Sequence, residues 1–147
     1  MVDAIDNVSV NKEEAYRLTI TPKAITVEAV AERGVYWAMQ TLYQLKEEKG
    51  KKIRLQCATI IDWPAFRIRG FMEDVGRSYL SLEELKREIA ILSRFKINTF
   101  HWHLTENQAW RLQSKVFPML NDSVNTTRQP GKYYTLEEAR ELAAFCK

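Results

Sequence analysis

The sequence predicts an α/β protein that begins with a smaller α+β part. From residue 69 onward, short apolar segments and amphipathic helical segments follow one another in the order strand, helix, strand, loop, helix. This order is the repeating unit of a parallel α/β fold. Before residue 64 the order is strand, strand, helix, strand, which indicates a small α+β layer. Pro64 interrupts regular strand pairing, and we therefore predict one domain over residues 1–64 and another over residues 65–147.

The first elements follow from periodicity. Residues 15–29 alternate apolar and polar side chains around a turn at residues 21–23, which predicts an antiparallel hairpin. Residues 33–48 have helical spacing, with Val35, Met39, Leu42 and Leu45 as the expected apolar face. Alternation resumes at Ile53, Leu55 and Cys57, where we expect a third strand.

The second part has sharper boundaries. Residues 69–75 and 97–104 read as strands, and each is followed by a helix. The first helix starts with the capping-box pair Ser81 and Glu84, and the second starts with Thr135 and Glu138.

Composition excludes several classes of function. The net charge of +3 is small, and the basic residues are mixed with acidic ones, so the electrostatic footprint of a nucleic-acid-binding protein is missing. No apolar run approaches the roughly 20 residues that span a bilayer, and we predict no membrane association. The N-terminus shows no signal-peptide pattern, which leaves the compartment unknown. Cys57 and Cys146 lie in apolar patterns, where we expect buried thiols.

The segment "FHWHLTENQAW" contains both histidines of the chain, His101 and His103. Residues two apart in a strand face the same side, and such a pair can bind zinc. A metal site needs further ligands, and Glu106 is the only close carboxylate. The alternative is that both histidines are hydrogen-bonded residues inside the fold.

Three polar residues lie on or directly after the two predicted parallel strands. Asp74 lies on the first strand, where an inward carboxylate needs a partner such as Arg69 or His101. Arg77 follows that strand, and in parallel α/β folds the carboxyl ends of strands carry the site. Its guanidinium can bind the oxygens of a ligand, or it can form a surface ion pair, for example with Glu84. Glu106 comes after the second strand, as a candidate acid, base or orienting group.

These residues resemble a known family. The segment "RGFMEDVGRSYLSLEELKREIAILSRFKINTFHWHLTENQAWRLQSKVFPML" resembles the start of the catalytic barrel of glycoside hydrolase family 20, the β-N-acetylhexosaminidases. The shared pattern is an Arg-Gly strand ending in Asp-x-x-Arg, a Lys-x-Asn turn, His-x-His-Leu, Gln and Trp-Arg. Where the family has an acidic pair, this chain has Glu106-Asn107. The segments "GVYWAMQTLYQL" and "ATIIDWPAFRIRG" resemble the end of the small domain that precedes this barrel. The resemblance implies an incomplete (β/α)8 TIM barrel of about two β-α units, truncated at residue 147, after a small α+β domain.

The resemblance also implies roles for residues. Arg77 matches the arginine that holds hydroxyls of the non-reducing N-acetyl sugar. Glu106 stands where the family usually has aspartate, in a polar network that supports the acid/base, and its extra methylene re-spaces that network. His103 and Asp74 belong to the same supporting network, and the histidines become inward-facing barrel residues instead of metal ligands. No metal and no cofactor is implied.

The family's chemistry is substrate-assisted. The acetamide oxygen of the substrate attacks the anomeric carbon, a glutamate protonates the leaving oxygen, and the preceding aspartate orients the acetamide. The chain contains no Asp-Glu dipeptide, so the resemblance implies that it carries no catalytic residue and is inactive alone. The implied ligand is a glycan containing an N-acetylhexosamine, and family members are often secreted, periplasmic or lysosomal. Because two parallel strands leave open edges, we also expect self-association.

Overall fold

The computed structural model describes residues 10–147. The nine residues before Val10, including part of the segment on which the signal-peptide prediction rests, lie outside the described residues. The described chain forms two compact units. One comprises the residues up to Arg69 together with Arg94–Lys96, and the other comprises Gly70–Ser93 and Ile97–Lys147.

The first unit is built on a three-stranded antiparallel sheet and one helix. Strands β1 (Tyr16–Ile20), β2 (Ile25–Ala29) and β5 (Ala58–Asp62) are arranged in the order β2-β1-β5. Helix α1 (Glu32–Gln44) packs against them, and a short hairpin of β3 (Glu47–Lys49) and β4 (Lys52–Arg54) follows it. A 3-10 turn at Lys12–Glu14 precedes the sheet. The core of buried residues consists of Tyr16, Leu18, Ile20, Trp37 and Ala38.

Gly34 allows α1 to lie close to the sheet. A Cβ at this position would collide with the main-chain oxygen of Ala15 and would lie 2.9 Å from the Cβ of Ala29. Only glycine fits such a close approach of two backbones.

Two clusters of hydrogen-bonded side chains in the first unit line a cavity of about 250 Å³. In one of them, Trp37 Nε1 donates to Glu14 Oε2 at 2.6 Å, and Arg69 forms an ion pair with the same oxygen. In the other, which we call the Lys96 cluster (Tyr16, Asp62 and Lys96), the ammonium lies 2.6 Å from Asp62 Oδ2 and 2.8 Å from the Tyr16 hydroxyl.

The second unit starts with a parallel strand pair. Strands β6 (Gly70–Asp74) and β7 (Thr99–His103) pair in register from Gly70↔Thr99 to Asp74↔His103, and helix α2 (Leu82–Arg94) connects them. Because side chains alternate along a strand, the pair has two distinct faces. One carries Phe71, Glu73, Phe100 and Trp102, and the other carries Met72, Asp74, His101 and His103.

A two-residue hairpin continues from the end of β7. Strands β8 (Thr105–Glu106) and β9 (Ala109–Trp110) pair antiparallel, and the 3-10 turns Pro118–Asn121 and Ser123–Asn125 follow. Helix α3 (Leu136–Phe145) ends the described chain, and the buried residues Val75, Leu85, Tyr134 and Leu142 form the core of this unit.

Both predicted capping boxes are present. Glu84 Oε2 accepts from the Ser81 main-chain N at 2.7 Å, and the Ser81 hydroxyl accepts from the Glu84 main-chain N at 3.3 Å. Thr135 and Glu138 make the same reciprocal pair at the start of α3.

Two local predictions for the first unit are wrong. The third strand of the sheet is Ala58–Asp62, whereas Ile53 lies in the separate hairpin. The face of α1 that is buried carries Gly34, Trp37 and Ala38. Of the predicted face, Leu42 packs against the core, whereas Val35, Met39 and Leu45 are exposed. A large aromatic side chain buries more area than Val35 or Met39, and it fixes which face of the helix packs.

The two thiols also differ from expectation. Cys57 and Cys146 are both exposed, because Cys57 precedes β5 and Cys146 follows the last turn of α3. Among residues 10–147, no helix combines the length and the apolar character that crossing a membrane requires.

Candidate functional site

The carboxyl ends of β6 and β7 bring the predicted site residues together. Asp74 and His103 are register partners at the last positions of the two strands. Arg77 lies in the turn after β6, and Glu106 lies in the hairpin after β7. We call Asp74, Arg77, His103 and Glu106 the Arg77 cluster.

Arg77 connects the two carboxylates of the cluster. Its Nη2 donates to Glu106 Oε1 at 3.0 Å, and its Nε lies 3.3 Å from Asp74 Oδ2. The main-chain N of Arg77 donates to Asp74 Oδ1 at 3.1 Å, which fixes the turn as well as the side chain. The side chain is 57% exposed, and within residues 10–147 its Nη1 amino group has no hydrogen-bond partner. Donors therefore remain for a ligand at the strand ends.

Glu106 is held by a short hairpin and by a close neighbour. It pairs with Ala109 across the hairpin, and its second oxygen accepts from the main-chain N of Asn107 at 3.3 Å. A Cβ on Gly76 would lie 2.9 Å from the Glu106 Cβ and 3.2 Å from its Cγ. The glutamate therefore lies directly against the backbone of the β6 turn.

The two histidines have different surroundings. His103 is half-buried, and its Nε2 lies 3.2 Å from Glu106 Oε1, the same oxygen that Arg77 contacts. His101 shares the face of His103, with ring centroids 5.7 Å apart, but it is exposed. The expectation that both are packed inside the fold is therefore wrong for His101, because no further strand within residues 10–147 covers that face.

The metal hypothesis involves a different set of residues from the one suggested by the His-x-His pair. Asp74, His103 and Glu106 each offer a ligand atom within 4.8 Å of the others, whereas His101 is not part of this group. The guanidinium of Arg77 lies against the oxygens of both carboxylates. A fixed cation in this position supplies the positive charge that a metal would otherwise supply.

The predicted partners of two residues are wrong. Asp74 pairs with Arg77 and with neither Arg69 nor His101. Arg77 does not pair with Glu84, because that carboxylate closes the capping box of Ser81.

The sequence interpretation missed the role of Arg111, which appears only as part of the Trp-Arg motif. This side chain is fully buried. Its guanidinium donates to the main-chain oxygens of Val75 (2.9 Å), Gly76 (3.4 Å), Arg128 (2.8 Å), Gln129 (3.2 Å) and Lys132 (2.7 Å). Burial lowers the pKa of Arg111, while the nearby Tyr134 and Tyr79 hydroxyls act in the opposite direction. The sequence signal for this role was an arginine at the end of a strand-like segment. Arginine is usually a surface residue, so this signal did not indicate burial.

Comparison with known proteins supports one assignment. The family model "Glycosyl hydrolase family 20, catalytic domain" matches residues 66–147, and "Glycosyl hydrolase family 20, domain 2" matches residues 2–63. A β-hexosaminidase of Porphyromonas gingivalis is 40% identical over 91% of this chain and 19% of its own length. A β-hexosaminidase of Vibrio furnissii is 37% identical over 90% of this chain and 24% of its own length.

Solved structures agree in fold. The exo-β-N-acetylglucosaminidase of Vibrio harveyi in complex with N-acetylglucosamine superimposes with a TM-score of 0.82 at 35% identity, over 91% of this chain and 24% of that one. The chitobiase of Flavobacterium johnsoniae gives the same TM-score at 34% identity, over 90% of this chain and 20% of that one. The fold prediction is confirmed: a small α+β domain precedes the first β-α units of a TIM barrel. The chain spans about a fifth to a quarter of the length of these relatives.

Proposed function

Because the chain belongs to glycosyl hydrolase family 20, we propose that it is part of a retaining β-N-acetylhexosaminidase. The full-length enzyme hydrolyses terminal β-linked N-acetylglucosamine or N-acetylgalactosamine from glycans. The relatives named above are β-hexosaminidases, and one structural neighbour holds N-acetylglucosamine. The observation that carries the proposal is the half-exposed guanidinium of Arg77 at the carboxyl end of β6.

Arg77 binds hydroxyls of the non-reducing sugar in this proposal. Two carboxylates orient its guanidinium, and the side chain is 57% exposed, so vicinal hydroxyls can accept from its remaining N–H groups. An arginine presents its donors as a rigid planar fork, so it can select the spacing of two hydroxyl oxygens. Asp74 acts by orienting Arg77 through its side chain and its main chain.

Glu106 and His103 support the acid/base of the enzyme. Glu106 lies between Arg77 and His103, with one oxygen 3.0 Å from Nη2 and 3.2 Å from Nε2. Because Glu106 contacts both Arg77 and His103, a movement of Arg77 on sugar binding can change the hydrogen bond between Glu106 and the imidazole. The role is that of a network residue and not of the proton donor itself.

The reaction is substrate-assisted. The acetamide oxygen attacks the anomeric carbon, while a glutamate protonates the leaving oxygen and the adjacent aspartate orients the acetamide. This Asp-Glu pair is not in the chain, and we propose that residues 1–147 alone are inactive. Turnover of a chromogenic β-N-acetylglucosaminide by the pure 147-residue chain would contradict this.

The test of the proposed function uses the full-length enzyme and two substrates. We expect turnover of a chromogenic β-N-acetylglucosaminide, with retention of anomeric configuration in the first-formed product. The matched β-glucoside lacks the acetamide nucleophile and should not be hydrolysed. Equal turnover of both glycosides would contradict substrate assistance.

A metal-dependent hydrolase is the rival enzyme class, and the Asp74, His103 and Glu106 group is the observation that favours it. Stoichiometric zinc in the purified full-length protein, with activity lost in chelator, would support this rival. The family chemistry requires no metal, so we expect activity to be unchanged by chelation.

A non-enzymatic sugar-binding module is the second rival. It predicts tight binding of N-acetylglucosamine by the isolated chain and loss of this binding in Arg77→Ala. For the isolated chain we propose instead self-association, because large apolar side chains such as Met72 (55% exposed) lie on the open face of the parallel strand pair. A monodisperse monomer with a sharp unfolding transition would contradict this.

We also propose that residues 1–64 are the end of the accessory α+β domain that precedes the barrel.

A further inference from the structure

We infer that Arg111 is a positioning residue for Arg77: it holds the turn after β6 from inside the second unit, and thereby sets where the sugar-binding guanidinium points. The inference rests on the proposed function, since it assigns to Arg111 an effect on sugar binding. Arg111 does not reach the ligand in this proposal, and it acts through the backbone that carries Arg77.

The amide groups of the turn are bound to the ends of β6 and β7: Arg77 N donates to Asp74 Oδ1, and Ser78 N donates to the main-chain oxygen of Asp74. Val75 and Gly76 donate to the main-chain oxygen of His103 at 3.1 and 3.3 Å, which ties the start of the turn to β7. Their carbonyl groups are acceptors for Arg111, through Nε and Nη2 respectively. The residue that follows these two carbonyls is Arg77. A shift of the carbonyls therefore moves the Cα of Arg77 directly.

The opposite side of the Arg111 guanidinium is bound to residues 128–132. Nη1 and Nη2 donate to the carbonyls of Arg128, Gln129 and Lys132. The arginine thus bridges two loops at once, and the planar fork fixes the distance between them. A lysine in this place offers three donors from a single atom and cannot span the same set.

Gln129 adds a second bridge between the same two loops. Its Oε1 accepts from the main-chain N of Tyr79 at 2.5 Å, and its backbone is left-handed, with φ 47°. A residue other than glycine or asparagine pays a conformational penalty in this region, so the backbone geometry here is set by the contacts. Arg111 and Gln129 therefore bind the turn at Val75–Gly76 and at Tyr79, on either side of Arg77.

The charge of Arg111 is balanced by main-chain carbonyl groups and by the Tyr79 ring, whose centroid lies 5.9 Å from the guanidinium carbon. None of its side-chain hydrogen bonds within residues 10–147 goes to a carboxylate. A buried guanidinium costs free energy unless it is fully hydrogen-bonded, and here every one of its nitrogens donates to a carbonyl. An arginine that served only to neutralise charge would be paired with an acid, whereas this one is matched to main-chain positions.

The experiment is a double-mutant cycle of Arg111→Lys and Arg77→Ala in the full-length enzyme, read as kcat/KM on the chromogenic β-N-acetylglucosaminide. We expect Arg111→Lys to lower kcat/KM about tenfold or more, since small misplacements of binding groups have large effects on rate. In the Arg77→Ala background the same change should have no further effect, because its effect passes through Arg77. Losses that multiply in the double variant, or unchanged kcat/KM in Arg111→Lys, would overturn the inference.

A second pair of variants applies if Arg111→Lys does not fold. Gln129→Asn retains a residue that tolerates the left-handed backbone, but its shorter amide cannot reach Tyr79, and Gln129→Glu keeps the acceptor oxygen. We expect Gln129→Asn to lower kcat/KM only in enzymes that contain Arg77. We expect Gln129→Glu to retain most of the wild-type kcat/KM. The same loss in both variants, or a loss independent of Arg77, would overturn the inference.

The exposed Arg140 of α3 provides the matched control. Arg140→Lys makes the same chemical change outside the bridge and should leave kcat/KM unchanged. Amide hydrogen exchange at residues 76–79 separates the two proposals. Faster exchange there in Arg111→Lys, with α2 unchanged, supports the bridge whether or not the wild-type enzyme is active, and an inactive wild-type enzyme contradicts only the proposed function. Unchanged exchange at residues 76–79 would overturn the bridge.

Discussion

The Lys96 cluster and the Arg77 cluster contain similar groups but differ in access to solvent. In the first, the Lys96 ammonium, 27% exposed, is bonded to Asp62 and Tyr16 beside the core of its own unit. In the second, the Arg77 guanidinium is 57% exposed and lies at strand ends. An ion pair stabilises a fold when most of its donors bind groups of that fold, and it can bind a ligand when donors remain exposed to solvent.

The electrostatics of the Lys96 cluster agree with this. Burial alone would raise the pKa of Asp62, but hydrogen bonds from Lys96 and Tyr16 outweigh it and lower that pKa. Burial alone would lower the pKa of Lys96, but hydrogen bonds to Asp62 and Tyr16 outweigh it and raise that pKa. Both charged forms are therefore favoured in the folded state, which makes the cluster a contributor to stability.

The largest effect that would test the comparison is expected for Arg77→Ala. Loss of hydrogen bonds between a charged group and a sugar should lower kcat/KM of the full-length enzyme about 100-fold, since each such bond contributes about 1.5–3 kcal/mol. The midpoint of thermal unfolding should change little, because the side chain is largely exposed. Steady-state kinetics and thermal denaturation measure the two effects. A large fall in the midpoint with unaltered kinetics would show that Arg77 has the role assigned to Lys96.

Gly76→Ala should have the next largest effect. The new Cβ would meet the Cβ of Glu106 at 2.9 Å, so the hairpin that carries Glu106 has to shift, and we expect kcat/KM to fall about tenfold. The matched control is Gly70→Ala at the start of β6, where the nearest atom is 3.8 Å away. Equal kinetics for the two variants would indicate that the position of Glu106 is unimportant.

Lys96→Met should reduce stability and leave sugar hydrolysis unchanged. The variant keeps an apolar stem of similar length but removes the ammonium between Asp62 and Tyr16. We expect the free energy of unfolding to fall by about 1 kcal/mol, because the pair is partly exposed and solvent screens it. Urea denaturation of the full-length enzyme measures this. A reduced kcat/KM at full stability would contradict the distinction between the two clusters.

The smallest effect concerns pH. The pKa of Asp62 is lower in the folded state, so its contribution to stability is present above its unfolded pKa of about 3.9 and is lost as the pH falls through the folded value. The pKa of Lys96 is raised, so its contribution is present below about pH 10.4 and is lost as the pH rises through the folded value.

Asp62→Asn measures the acid part of this dependence. The difference in urea midpoint between the wild type and the variant should be constant near neutral pH and should shrink below about pH 4. Glu28→Gln is the control, because it lies in an exposed pair with Arg17 on the same sheet. A difference that persists unchanged at low pH would exclude Asp62 as the titrating group.

The sequence predicted strands at β1, β6 and β7, and it placed Arg77 and Glu106 directly after the two parallel strands, whose carboxyl ends carry the site in such folds. It did not predict that these two side chains pair. It failed where tertiary contact decides. Burial of Trp37 determines which face of α1 packs in the core. The partner of Asp74 is Arg77, in the turn that follows β6.

Arg111 was beyond prediction for a different reason. Its partners are five carbonyl groups from two loops, and main-chain acceptors carry no residue-specific signal in a sequence. The two-residue pairing of Thr105–Glu106 with Ala109–Trp110 is likewise too short to have a period.

Lys96 follows α2 in the chain but belongs to the first unit. This has a consequence for the order of folding during synthesis. Strand β1 needs β5 as its partner, so the sheet is complete only when Asp62 has left the ribosome. The ammonium that joins Asp62 to Tyr16 belongs to a residue 34 positions further on. Domains fold as units, beginning at the N-terminus, while the chain is made. The ion pair between Lys96 and Asp62 can therefore form only after β6 and α2 have been synthesised. A pause in translation between residues 62 and 96 would leave Asp62 without this partner.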